Sequence, residues 1–172
     1  MTSDDEKKQP FIRLAMTTDV PAIKLIARKS FERYVPLIGK LPAPMNAYFS
    51  GHVLKGTVFI AQSEKKQGSV LGYAIVLQRD GEWLLDNIAV SPEAQGRGVG
   101  SALIAACKTF LQKRGVQRYH LNTDEAMEQN LTWYPEIGFV EMARRLEDGF
   151  SRIYFTKEMV PKSVDCNGVI NG

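Results

Sequence analysis

The segment from Ile88 to Ser101 constrains the fold more than any other. It reads Ile88-Ala-Val-Ser-Pro-Glu-Ala-Gln95-Gly96-Arg97-Gly98-Val-Gly100-Ser101. An apolar, β-branched run at residues 83–90 enters it, and a long amphipathic pattern at 101–114 leaves it. In that pattern Leu103, Ile104, Cys107, Phe110 and Leu111 fall on one side of a helix, and Gly115 stops it. A further strand pattern follows at 117–122. A strand, a helix and a strand in that order imply one right-handed parallel crossover. The runs before it, 57–62, 70–78 and 83–90, are joined by short turns at 65–69 and 79–81. Short turns between consecutive strands make an antiparallel meander.

The rest of the chain fits around this sheet. Residues 11–16 read as a first strand, and Thr17-Thr18-Asp19 with Pro21 opens a helix. Ile23, Ile26, Ala27 and Phe31 recur at helical spacing, and this helix is expected to end before Pro36. Three prolines and a glycine make 36–44 a loop, and a second short helix is expected at 45–54. After the crossover come a helix at 125–134 and a hairpin of strands 139–145 and 150–157 around Asp148-Gly149. The expected fold is a single mixed α/β domain. It has a mostly antiparallel sheet of about seven strands, one parallel crossover and helices on both faces. The domain spans 11–158, with a flexible N-terminal tail at 1–10 and a C-terminal tail at 159–172.

Composition removes several function classes. The chain has 172 residues, 44% of them hydrophobic and 24% charged, as globular domains do. A net charge of +3, from 22 basic and 19 acidic residues of mixed order, gives no basic stripe for nucleic acid. No apolar run is long enough for a membrane-spanning helix, and MTSDDEKKQP lacks the apolar stretch of a secretory signal. Cys107 and Cys166 allow at most one bridge, so a disulfide framework is not expected and a cytoplasmic location is. His52 and His120 lie far apart in sequence, and no metal site is expected.

Glycines at a strand-to-helix turn remove side chains that would hold a ligand off the backbone. The first amides of the helix lack internal acceptors, and the helix dipole adds positive potential there. That combination suits a phosphate or pyrophosphate, and Arg97 adds a fork of donors. No Lys-Ser or Lys-Thr follows the glycines, which excludes the P-loop pattern. The dinucleotide fingerprint fails too, because Gly100 falls one position early and the preceding strands form a meander. The physics therefore indicates an anion at a helix N-terminus without naming it.

Gln95-x-x-Gly98-x-Gly100 resembles the signature of the GNAT family of acetyl-CoA-dependent N-acetyltransferases. Asp86-Asn-Ile-Ala-Val-Ser-Pro is similar to that family's fourth strand. Asn130-Leu-Thr-Trp-Tyr134-Pro-Glu-Ile-Gly138-Phe139 is similar to its second motif, a tyrosine-bearing helix ending at Gly-Phe. The resemblance implies transfer of acetyl from acetyl-CoA, a co-substrate, to a primary amine by direct attack through a tetrahedral intermediate. It implies that the amides of Gln95, Gly96, Arg97, Gly98, Val99, Gly100 and Ser101 hold the pyrophosphate. It also implies that the pantetheine arm lies along Ile88, Ala89 and Val90, pairing with main-chain groups of Ile88 and Val90, beside a diverging next strand. A strand amide near Ile88 would hold the oxyanion.

Tyr134 matches the family's acid for the departing thiolate. Its phenol, near ~10 when unperturbed, is protonated at neutral pH. The base is open. The position where one family branch carries glutamate is Leu84 here, and by strand alternation Asp86 shares a face with Leu84 and Ile88. Asp86 is the first candidate, Glu82 is a second, and a water chain is a third. Where many members carry asparagine seven positions before the tyrosine, this chain has Met127. Asn130, a helical turn later, is either a contact for the cofactor arm or an exposed polar residue.

In such a fold the acceptor site is usually built from the first two helices, here residues 28–55. Five basic residues (Arg28, Lys29, Arg33, Lys40 and Lys55) face one acid, Glu32, which disfavours a polycationic acceptor. Tyr34, Met45, Tyr48, Phe49 and His52 are candidates for pocket walls. The expected partner is a small-molecule amine or an amino-acid-like acceptor. The alternatives are a protein α-amine or lysine, or a non-catalytic module that holds acyl-CoA. Dimers are frequent in the family, and an exposed last strand offers one edge for a homodimer.

Overall fold

The computed structural model describes residues 9–63 and 68–159. The expected tail segments at 1–8 and 160–172, Cys166 and most of the 65–69 turn lie outside the described residues. The strands are β1 (Phe11–Leu14), β2 (Val58–Gln62), β3 (Val70–Arg79), β4 (Glu82–Val90), β5 (Arg118–Asp124), β6 (Val140–Glu147) and β7 (Phe150–Glu158). The helices are α1 (Val20–Phe31), α2 (Val35–Ile38), α3 (Phe49–Leu54), α4 (Val99–Gln112) and α5 (Glu128–Glu136). One seven-stranded sheet runs β1-β2-β3-β4-β5-β7-β6. Only β4 and β5 pair in parallel; the other neighbours are antiparallel.

The helical spacing read from sequence places the core. Ile23, Ile26, Ala27 and Phe31 of α1 are buried on one face of the sheet with Phe49, Val58, Ile60, Tyr73 and Ala89. Leu103, Ile104, Cys107 and Leu111 of α4 are buried on the other face with Leu85, Tyr119, Tyr134 and Phe155. Each large apolar side chain enclosed in this way contributes about 2 kcal/mol. Burial pushes the Cys107 thiol up to about 12, so it sits in the core as a neutral apolar group. The hairpin turns use positive φ at Asp80 and Gly81 and at Asp148 and Gly149, as two-residue turns require.

Four local expectations are corrected. Residues 36–44 are not a plain loop: Val35–Ile38 form a helical turn with Pro36 at its start, and Ala43–Asn46 a 3₁₀ turn. The next helix is shorter, Phe49–Leu54. α5 begins at Glu128, because Asp124 Oδ1 accepts the Ala126 amide (2.9 Å) and holds the preceding residues in a turn. The last strand, β7, lies between β5 and β6, so the free edge on this side is β6.

A β-bulge in β4 matters more for the site. Ile75 faces Asn87 and Val76 faces Leu85, so Asp86 is an extra residue with no partner of its own on β3. The bulge reverses the alternation. Trp83 and Leu85 point to the α4 face, and beyond the bulge so do Ile88 and Val90, while Ala89 packs on the α1 face. Asn87 is on that α1 face too, accepting from the Tyr73 hydroxyl at 3.0 Å. Leu84 and Ile88 therefore do not share a face, and the alternation argument that grouped Asp86 with both does not hold.

Candidate active site

The head of α4 is built by its glycines. Gly96 and Gly98 have φ of 76° and 78°, a region that side chains enter at a cost, and Gly98 is the residue that caps α4. Gly100 answers a different need: a Cβ there would lie 3.2 Å from the Trp133 indole of α5. After Ala94, the first amide with a main-chain acceptor is that of Ala102, which donates to the Gly98 carbonyl (3.0 Å). Among the described residues the amides of 95–101 are thus open donors at the positive end of the helix. They edge a cavity of about 390 Å³ walled by residues 94–101 except Arg97, with Ser30, Phe31, Arg33 and Tyr34 across from them and Asn130 and Trp133 beside them. Arg97 is exposed and does not line it.

The cavity continues along β4. The ladder between β4 and β5 has a single bridge, Leu84 opposite His120, so beyond it the two strands part. The Ser91 amide donates to the Leu71 carbonyl of the β3 side (2.7 Å). Main-chain groups alternate along an antiparallel strand, so Ala89 bonds towards β3, while Ile88 and Val90 turn theirs towards the gap. One of these groups is engaged: Ser30 Oγ donates to the Val90 carbonyl (3.1 Å). A splayed edge of this kind matches the two amides of a pantetheine arm, and the open amides at its end match a diphosphate. The residues present fit coenzyme A.

A second cavity of about 320 Å³ lies further down the gap, lined by Asp86, Asn87, Ile88, Asn122, Thr123, Asp124, Asn130 and Tyr134. Phe31, Ile38, the segment Pro42–Pro44, Ala47, His52, Phe150 and Arg152 close it from the other side. Phe31, Ile88 and Asn130 line both cavities. Tyr134 belongs to this second cavity and not to the one at the loop. Its ring packs against Phe139 and Phe155, with centroids 5.7 and 5.9 Å away. Among the described residues nothing hydrogen-bonds its hydroxyl. Burial pushes its phenol above the ordinary tyrosine range, so it is held protonated.

Asp86 lines the second cavity with a side chain 27% exposed, and its Oδ1 lies 3.8 Å from Arg79. Glu82 reaches neither cavity and pairs with His120 at 3.1 Å. Asn130 donates to Thr123 Oγ1 (3.0 Å), which fixes its carboxamide at the junction of the two cavities. Met127 is buried beside it.

The acceptor-side expectations fare less well. Of the five named aromatic and polar candidates only His52 lines the second cavity; Phe49 is core against Tyr73, and Tyr48 is 74% exposed. None of the five basic residues lines the second cavity, and three of them have partners: Lys29 with Glu93, Arg33 with Tyr34 and Gln129, and Lys40 with the Asp148 carbonyl. Sequence reading missed Phe31, Asp124, Phe150 and Arg152 as wall residues. The Asp-Gly turn beside Phe150 marked a hairpin but gave no sign that its tip reaches over the cavity.

Residues 55–141, half of the chain, match the family model described as acetyltransferase (GNAT) domain. No curated protein matches by sequence. Among solved structures, a GCN5-related N-acetyltransferase from Rhodopseudomonas palustris is 21% identical, with 88% of this chain and 96% of that one covered and a TM-score of 0.69. The PaiA N-acetyltransferase of Thermoplasma acidophilum, solved with coenzyme A, is 14% identical, with 87% and 99% covered and a TM-score of 0.69. The ribosomal-protein-S18-alanine N-acetyltransferase of Escherichia coli is 22% identical, with 90% and 98% covered and a TM-score of 0.65. These likenesses establish a common fold, and the family match covers the glycine loop, the parting strands and Tyr134 together. The chain belongs to the GNAT family and is an acetyl-CoA-dependent N-acetyltransferase.

Proposed function

We propose that this enzyme acetylates the primary amine of a small molecule by direct attack on the thioester. The observation that carries the reading is the junction at Phe31, Ile88 and Asn130, where a cavity edged by open amides meets a second one walled by side chains. The amides of 95–101 hold the diphosphate, and the free edge of β4 at Ile88 to Val90 aligns the arm. The thioester then reaches the junction, with Tyr134 beyond it.

The amine must lose a proton before its lone pair can attack the carbonyl carbon. Asp86, at the bulge, receives that proton directly or through water. The oxyanion that forms is held by a β4 main-chain amide near Ile88. The carbon–sulfur bond then breaks, and Tyr134 gives its proton to the departing thiolate. Attack leaves the nitrogen with one proton more than the amide keeps. That proton is lost as the adduct collapses and replaces, through solvent, the one Tyr134 gave to the thiolate. The proton first taken by Asp86 is released to solvent, so one proton leaves per turnover.

A small acceptor is favoured by the size of the second cavity and by what borders it. The second cavity, at about 320 Å³, is near the lower end of ligand-site volumes. Phe150 and the Pro42–Pro44 segment cover it, tied together by Lys40, which donates to the Asp148 carbonyl and lies 3.7 Å from the Phe150 ring centroid. A small molecule fits between these walls more readily than an extended peptide does.

Calorimetry with acetyl-CoA, CoA and NADH, followed by an amine panel read by thiol release, tests this reading. Binding of CoA but not NADH, and thiol release with small amines, is the expected result. Thiol release only with peptides or proteins would overturn the small-molecule assignment. Binding without any release would leave a module that only holds acyl-CoA.

A further inference from the structure

The ionisable side chains lining the second cavity are His52, Arg79, Asp86, Asp124 and Arg152. All but two have evident roles or neighbours. Asp86 and Arg79 face each other at 3.8 Å. Asp124 uses Oδ1 to hold the turn into α5. The His52 carbonyl accepts from Thr57, while its imidazole is left to the cavity wall. Arg152 differs from the arginines around it. On the same hairpin, Arg144 pairs with Glu141 and Glu125, and Arg145 with Glu147. Among the described residues Arg152 makes no ion pair, although it is half-buried and opposite Asp124 in the β5–β7 ladder. Its guanidinium lies 5.2 Å from the Phe150 ring centroid, and both residues line the second cavity; Arg152 also borders a smaller, shallower groove with Glu125, Arg144 and Arg145.

A half-buried cation without a counter-ion has lost part of its hydration and gained no carboxylate in return. A guanidinium is the side chain best shaped to take a carboxylate in two parallel bonds. Asp86, on β4, lines the same cavity and suits an ammonium group before it loses its proton. The wall therefore offers one site for a positive group and one for a negative group, with Phe31, Ile38, Pro42 and Phe150 as apolar surface between them.

We infer that the acceptor is an amino-acid-like molecule carrying a free carboxylate near its amine, and that Arg152 is the specificity residue that takes this carboxylate. The inference rests on the small-molecule reading above and narrows it. It separates a free amino acid from an internal lysine or a chain N-terminus, whose nearest carboxyl is tied up in a peptide bond.

Matched acceptors test it: phenylalanine, phenylalaninamide and phenethylamine, and leucine with isopentylamine. Thiol release from acetyl-CoA is measured for each, with rates expressed per unprotonated amine. The expected result is a kcat/KM at least tenfold higher for the amino acids than for their amide or decarboxylated counterparts. Arg152→Gln brings that ratio close to one through KM, Arg152→Lys leaves an intermediate ratio, and Arg79→Gln retains the preference. Melting temperature and CoA affinity, compared with the parent enzyme, show that each variant is folded. As a second measurement, N-acetylphenylalanine should bind the CoA complex of the parent enzyme more tightly than N-acetylphenethylamine does, and equally tightly in Arg152→Gln. Acetylation of amines without a carboxylate preference, or a preference that survives Arg152→Gln, overturns the inference and leaves the small-molecule reading standing. CoA binding with no acceptor of either kind acetylated overturns both.

Discussion

The cavity at the head of α4 takes its amide-bearing wall from one short stretch, residues 94–101 apart from Arg97, and uses main chain. The cavity beside Tyr134 is walled by side chains from α1, α2, the Pro42–Ala47 segment, α3, β3, β4, β5, α5 and the tip of the β6–β7 hairpin. The first is a local structure that these residues can form wherever a strand meets a helix. The second exists only once the whole sheet is assembled. Recognition by main chain tolerates little change in backbone angle and much change in side chain, and recognition by side chains behaves in the opposite way.

The largest expected effect tests the first half of this contrast. Gly98→Val forces a branched side chain onto a φ of 78° at the residue that caps α4, a strain of about 1–3 kcal/mol. It should weaken CoA binding by about a hundredfold, since about 1.4 kcal/mol is a factor of ten and several amides move together. Calorimetry reads this directly, and an affinity within threefold of the parent would break the main-chain account.

Tyr134→Phe tests the other half. Loss of a positioned acid should lower kcat by roughly a hundredfold while CoA affinity stays within twofold, because the ring and its packing remain. The parent enzyme's kcat should also show no alkaline fall through pH ~10, the ordinary tyrosine value. Burial keeps the phenol protonated there, and in the proposed mechanism the acid form is the active one. An alkaline limb well below that pH which disappears in Tyr134→Phe would show a phenol that titrates early, contrary to its burial.

The smallest effect sharpens the contrast. Lys40→Ala removes a cation–π contact worth ~0.5–1 kcal/mol and the bond to the Asp148 carbonyl. It should raise the acceptor KM about threefold and leave CoA affinity unchanged. An equal effect on both would mean that the two cavities are not separately built.

The same contrast explains what could be read from the sequence. Helix α1 was legible because Ile23, Ile26, Ala27 and Phe31 fall at one period and all go inward. The loop was legible because its glycines, the strand before it and the helix after it are adjacent in the chain. The bulge at Asp86 was not legible. An extra residue in a strand leaves its composition unchanged and only reverses which face the later residues use. The walls of the second cavity were not legible for a related reason. Lys29, Arg33 and Lys40 look like a free basic rim until Glu93, Gln129 and Asp148, each more than fifty residues away, are brought beside them. Arg152 sits among other arginines in sequence, and only pairing across the hairpin distinguishes it.

Phe31, Ile88 and Asn130 serve as one partition for both cavities. Two reactants that meet at such a shared border need no carrier to pass the acyl group between them. Initial-rate plots against both substrates should then give intersecting lines, the mark of a ternary complex, and not the parallel lines of a ping-pong cycle. The shared wall also makes each substrate part of the other's binding surface. Saturation with a dead-end CoA analogue should consequently tighten the hold on the amine, and the amine should tighten the hold on the analogue by the same factor.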